Sequence, residues 1–118
     1  MKITVPVSVG ELIDKITILQ IKSIFTNNEY VIKELKELEV IKNNLTEDVS
    51  DYETQLIKVN YELWKIETLI REKEKLKEFD EEFIELARSV YKTNDERGLI
   101  KRKINEITNS EYREIKIY

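Results

Sequence analysis

A chain of 118 residues, 41% hydrophobic and 37% charged with only two glycines and one proline, suits one domain of long helices joined by few turns. Its net charge of −4 is spread over interleaved acids and bases, so no broad single-sign surface is expected and general binding to nucleic acid or acidic membrane is disfavoured. The lack of cysteine excludes disulfides, thiolate nucleophiles and thiolate-held metals, and the lack of histidine removes the usual general base and the commonest transition-metal ligand.

No charged and apolar leader opens the sequence, and no apolar run approaches the ~20 residues that span a bilayer. A soluble, cytoplasmic protein without a membrane or nucleic-acid partner is the expectation. Internal repeats and low-complexity tracts are absent.

Ile3, Val5 and Val7 alternate with Lys2, Thr4 and Pro6, which is strand periodicity, and Pro6 confines such a strand to a short edge. Ser8 followed by Glu11 fits a capping box, in which hydroxyl and carboxylate satisfy free amides of a starting helix. A first helix is therefore expected from about Val9 to Phe25, ended by Asn27 and Asn28. Leu12, Ile13, Ile16 and Leu19 form one apolar face, and Ile18, Ile21 and Phe25 lie nearly opposite. Only Glu11, Lys15 and Lys22 make a polar strip, the pattern of a helix buried on two sides.

A second helix is expected over residues 29–43 with Val31, Leu35, Leu38 and Ile41 inward. After a loop to residue 50, Ser50 and Glu53 suggest a second capping box opening a long helix to about residue 78. Its inward stripe is Tyr52, Leu56, Val59, Leu63, Ile66 and Ile70, with Glu67 and Arg71 forming a favourable i,i+4 pair. Ile57, Tyr61 and Trp64 lie opposite that stripe.

Asp80 is the expected cap of a fourth helix running from about residue 81 to 108. Thr93 and Glu96 form a third capping pattern and Gly98 weakens a helix by ~1 kcal/mol relative to Ala, so a break between Tyr91 and Asn94 is an open alternative. The tail alternates again at Ile115 and Ile117, so the two chain ends are expected to pair as a short ribbon. The fold class expected is mainly all-α: an antiparallel bundle of about four helices, with two long central helices and a short terminal β-ribbon, in one domain over residues 1–118. Two helices near 40 Å beside two shorter ones leave part of the long pair uncovered. A homodimer burying Ile57, Tyr61 and Trp64 is expected to cover it, the alternative being the second helix folded over them.

In the fourth helix Phe83, Leu86, Ala87, Val90, Ile104 and Ile107 share one face, and ~100° per residue places Asn94, Arg97 and Lys101 on it as well. Like charges four residues apart repel, so an acidic group is expected to face Arg97 and Lys101. Asp14, aligned with Ile18, Ile21 and Phe25, is the best candidate. Such a pair fixes helix register; the functional alternative is a pocket in which Asp14, Asn94, Arg97 and Lys101 hold a small carboxylate or phosphate compound, for which the guanidinium fork is suited. If the helix breaks, Arg97 keeps its place and Lys101 moves to the flank.

Other features carry less. Arg88 and Lys92 read as a solvated pair, Tyr91 as core with a polar lid beside the Asn94–Arg97 seam as the alternative, and residues 71–82 as a solvated helix end. No Gly-rich phosphate loop, no serine nucleophile elbow and no Glu-x-x-His metal pair is present, so no catalytic residue, metal or cofactor is assigned.

Residues 5–19, around Pro6, Gly10, Glu11 and Asp14, and residues 85–97, around Thr93, Asn94, Asp95 and Arg97, resemble a family of small uncharacterised bacterial and phage proteins. The stretch 101–106 and the ending Glu114, Lys116, Tyr118 extend that likeness, which covers about half the chain. It implies no activity, but it contains Asp14, Asn94 and Arg97. A looser similarity is to the all-helical chorismate mutases, dimers that hold a dicarboxylate with Arg and Lys inside a bundle. Glu11 to Asp14 with Ile16 resembles the start of their first helix, and Asp95 with Arg97 their acidic-arginine region. No Arg precedes Asp14 in the first helix, however, the acid-to-arginine spacing differs, and their Arg-Glu pair is missing. The expected function is a non-enzymatic helical interaction module or small-anion-binding protein. The alternative is a small enzyme acting on an anionic metabolite by electrostatic stabilisation.

Overall fold

The computed structural model describes all of residues 1–118 and consists of four helices: α1 (Val9–Phe25), α2 (Glu29–Lys42), α3 (Ser50–Leu76) and α4 (Glu81–Ile107). Each start has a local cause. Ser8 Oγ accepts from the Glu11 amide to cap α1, Asn28 caps α2 through the Tyr30 amide, and Asp80 caps α4 through the Phe83 amide. The capping box expected at α3 does not form: Val49 is the cap, without a side-chain hydrogen bond. Asp48 instead accepts from the Ser50 amide, while the Glu53 carboxylate is taken by Lys42 at 3.2 Å.

α3 and α4 form the long hairpin, 27 residues each. The turn between them places Lys77 in the left-handed region, and the amides of Lys77 and Glu78 close on the carbonyls of Glu74 and Lys73. The Lys73 ammonium sits among Glu78, Asp80 and Glu82 and pins the turn. α1 packs against α2, α3 and α4, whereas the α2 backbone neighbours α1 alone. The core lies where α1 crosses the hairpin: Leu12, Ile13 and Ile16 meet Val49, Leu56, Val59, Ile100 and Ile104. Leu35, Leu38 and Leu45 pack on its edge, but no residue of α2 is fully buried and Ile41 is exposed.

One expectation, the terminal ribbon, is corrected, and two alternatives are not adopted by the chain. α4 is continuous through Tyr91 to Asn94; Thr93 is buried within it, so its hydroxyl caps nothing. The two ends of the chain form no ribbon and the structure has no strand. Lys2 reaches Glu37 on α2, while the tail runs back along α4, where Lys101 and Asn94 hold Glu114 and Lys116. Different helices thus claim the two segments. Finally, α2 does not fold over Tyr61 and Trp64. Phe25, at the end of α1, stacks on Trp64 with centroids 4.3 Å apart, and Trp64 on Tyr61 at 5.9 Å. This ladder and the neighbouring Ile57 stay exposed.

Candidate functional site

The contact between α1 and α4 begins with a small residue. A Cβ at Gly10 would stand 2.6 Å from the Lys101 carbonyl, so glycine lets the first turn of α1 lie directly on the α4 backbone. That closeness satisfies amides every helix start leaves free. Val9 N donates to Ser110 Oγ at 3.1 Å, Gly10 N to Asn105 Oδ1 at 2.7 Å, and Glu11 N to Ser8 Oγ at 3.0 Å. Two of these three acceptors come from the far end of the chain. Because the Ser8 hydroxyl caps alone, the Glu11 carboxylate is free to turn outward to Lys101.

One turn further along α1, Asp14 is fully buried. Its Oδ1 accepts from Asn60 Nδ2 on α3 and from Arg97 Nε on α4, both at 2.9 Å, and its Oδ2 accepts from Arg97 Nη2. Thr17 completes the network: its hydroxyl donates to the Asp14 carbonyl at 2.7 Å and accepts from Asn60 Nδ2 at 2.9 Å. Three helices therefore meet through hydrogen bonds at one carboxylate. The hydrogen bonds that Arg97 donates to Asp14 raise the pKa of Arg97 above its ordinary value, against an opposing effect of burial.

Lys101 does not share Asp14. Its side chain is 10% exposed, and its ammonium donates to Glu11 Oε2 at 2.7 Å and to Glu114 Oε2 at 2.9 Å. Burial, the largest single cause, pulls its pKa down, but those hydrogen bonds together with the negative charges of Glu11 and Asp14 make the net shift upward. Glu114 is held below the usual carboxylate range by the same hydrogen bond. Lys116, two residues on, donates to the Asn94 carbonyl at 3.3 Å.

Above these groups lies an open groove of about 790 Å³, lined among others by Glu11, Tyr91, Asn94, Arg97, Lys101 and Glu114. An adjoining groove of about 600 Å³ is bordered by Lys101, Arg102, Asn105 and Arg113. Arg97 is 27% exposed on the side chain. Of the five N–H donors of a guanidinium, three are engaged, two by Asp14 and one by Asn94 Oδ1 at a long 3.4 Å, which leaves two without a protein partner. Asn94, Arg97 and Lys101 thus share one groove, with Asp14 behind it as the support of Arg97.

Sequence reasoning missed several members of the site. Gly10 in the first turn of a helix was a visible signal of close approach. Asn60 and Thr17 fall on helical faces near apolar residues and could have been read as buried polar partners. Nothing in the sequence ties Asn105 and Ser110 to α1, or Glu114 to Lys101, because those contacts depend on how the end of the chain returns along the helices. No group of three or more carboxylates stands in an arrangement that could hold a metal ion, and no helix is long and apolar enough to cross a membrane.

Together these features define an all-helical protein whose first and last helices are joined by a buried ionic network beneath a charged groove. The whole chain, residues 1–118, matches the model of DUF6165, a family of unknown function, and the protein belongs to that family. Comparison with curated proteins and with solved structures returns no match.

Proposed function

We propose that this protein is a non-enzymatic binding module that takes a small anionic compound in the groove formed by Asn94, Arg97 and Lys101. One observation carries the reading: Arg97 is clamped by a buried carboxylate on one edge, keeps two donors without a protein partner, and lines an open groove beside Lys101. A guanidinium held in this way loses little freedom when it binds an anion, and it offers two parallel donors to carboxylate or phosphate oxygens. A bundle that needed only stability would be served as well by apolar side chains there.

The chemistry suits holding better than reacting. Both cations are ion-paired and stay charged across the neutral range. The test is a thermal-shift screen with phosphorylated and dicarboxylate metabolites. Stabilisation by at least one of them, lost in Lys101→Met, is the expected result. Failure of every anion to raise the melting temperature overturns the reading.

A second copy of the chain is the protein partner that goes with this reading. Phe25, Tyr61 and Trp64 present a continuous aromatic ladder, flanked by exposed Ile24 and Ile57. A stacked apolar surface of this extent favours burial against a like surface related by two-fold symmetry.

A further inference from the structure

The carboxylate of Glu114 already occupies the position on Lys101 that the proposed reading gives to a ligand anion. Residues 111–118 make no backbone hydrogen bond to any helix. Side chains alone attach the end of the tail: Glu114 to Lys101, and Lys116 to the Asn94 carbonyl and, at 3.8 Å, to Asp95. Glu114, Lys116 and Tyr118 all border the groove. Half of the Glu114 side chain is open to solvent, so it can leave Lys101 by a rotation of its own torsions without unfolding anything.

We infer that Glu114 is a built-in competitor for a phosphate-bearing ligand, whose phosphate takes its place on Lys101 and reaches the free donors of Arg97. The inference rests on the anion-binding reading above and names its ligand class. Phosphate is favoured over a simple carboxylate because the competitor is tethered. Ser110 is fixed to Asn105 and Val9 only a few residues before Glu114, and a short tether gives an effective concentration in the millimolar range or above. A free monocarboxylate would exchange like for like against that advantage. A phosphate group brings nearly two charges and three acceptor oxygens, enough to engage Lys101 and Arg97 together.

Calorimetric titration with inorganic pyrophosphate tests this in the full chain. Glu114→Gln is expected to bind about tenfold more tightly than the wild type, as removal of a tethered competitor requires. Glu111→Gln, which takes the same charge from the tail outside the groove, is expected to match the wild type. Adding Lys101→Met to Glu114→Gln is expected to abolish binding. Equal affinity in the wild type and Glu114→Gln, or an equal gain in Glu111→Gln, overturns the competitor role and leaves the anion site standing. If Glu114→Gln ignores pyrophosphate while a dicarboxylate still stabilises the protein, the phosphate assignment falls alone. If no anion acts on either form, both readings fall.

Discussion

Asp14 on α1 and Arg97 on α4, 83 positions apart in sequence, are joined by two hydrogen bonds from Nε and Nη2 of the guanidinium to the two carboxylate oxygens. Asp14 has no exposed surface, so its charge depends on Arg97 and on the amide of Asn60. Arg97→Met is expected to lower the unfolding free energy by roughly 3 kcal/mol, the lower end for breaking a buried pair, because Arg97 itself keeps some contact with water. Asp14→Asn combined with Arg97→Met removes the stranded charge and is expected to recover more than half of that loss. Urea denaturation of the wild type and the two variants measures both, and a fully stable Arg97→Met would show that the pair fixes nothing.

The two glycines predict opposite outcomes. Gly10→Ala places a methyl 2.6 Å from the backbone carbonyl of Lys101, where neither helix can yield without parting from the other. A loss of about 1–3 kcal/mol is expected, as for other overpacked contacts. Gly98→Ala meets only the end of the Lys116 side chain, at 2.9 Å, and that chain can move aside. Alanine within a helix gains up to ~1 kcal/mol over glycine, so Gly98→Ala is expected to be as stable as the wild type or more so. Thermal unfolding distinguishes the pair.

Acid should free the tail. Glu114 titrates below its ordinary value of 4.5, so the stability it contributes is complete above that value and is lost as pH falls through the depressed one. Lys101 titrates above its ordinary 10.5, so its share is complete below that value and is lost as pH rises through the raised one. The tail contact is therefore fully made between 4.5 and 10.5. Backbone amide NMR signals of residues 112–118 are expected to move toward random-coil positions on acidification below this window. In Glu114→Gln the same signals should lack that step; a transition of equal size there would assign it to another group.

The aromatic ladder gives a prediction in solution. Sedimentation velocity of the wild type is expected to give twice the chain mass, and Trp64→Glu the chain mass, with helical content unchanged. A monomeric wild type at high concentration would remove the case for a second copy on this surface.

Much of the architecture is legible in the sequence because helix signals are local. Ser8 and Asp80 mark two starts, Asn27 and Asn28 mark the end of α1, and the apolar periods of α1 and α3 find the core. The seam of α4 was legible for the same reason: a period of 3.6 carries Asn94, Arg97 and Lys101 onto the inward face whatever they touch. Thr93 and Glu96 mislead, since the same spacing occurs inside helices, and only packing against α3 decides that Thr93 is interior. Strand-like alternation at Ile3, Val5, Val7, Ile115 and Ile117 misleads for a related reason. A strand needs a partner in reach, and side chains of α2 and α4 draw the two segments apart. The allotment of Lys101 to Glu11 and Glu114, away from Asp14, depends on a tail that returns along α4, which no local rule encodes.

The loose attachment of α2 bears on how the protein opens. Its backbone neighbours α1 alone, and none of its side chains is shielded completely. Amide protons of α2 should therefore exchange with deuterium through a partial unfolding that leaves α1, α3 and α4 assembled, at lower free energy than global denaturation. The three-helix remainder keeps Asp14, Asn60 and Arg97 together, so the ionic network belongs to the slowest-exchanging part of the molecule and would persist while α2 comes and goes.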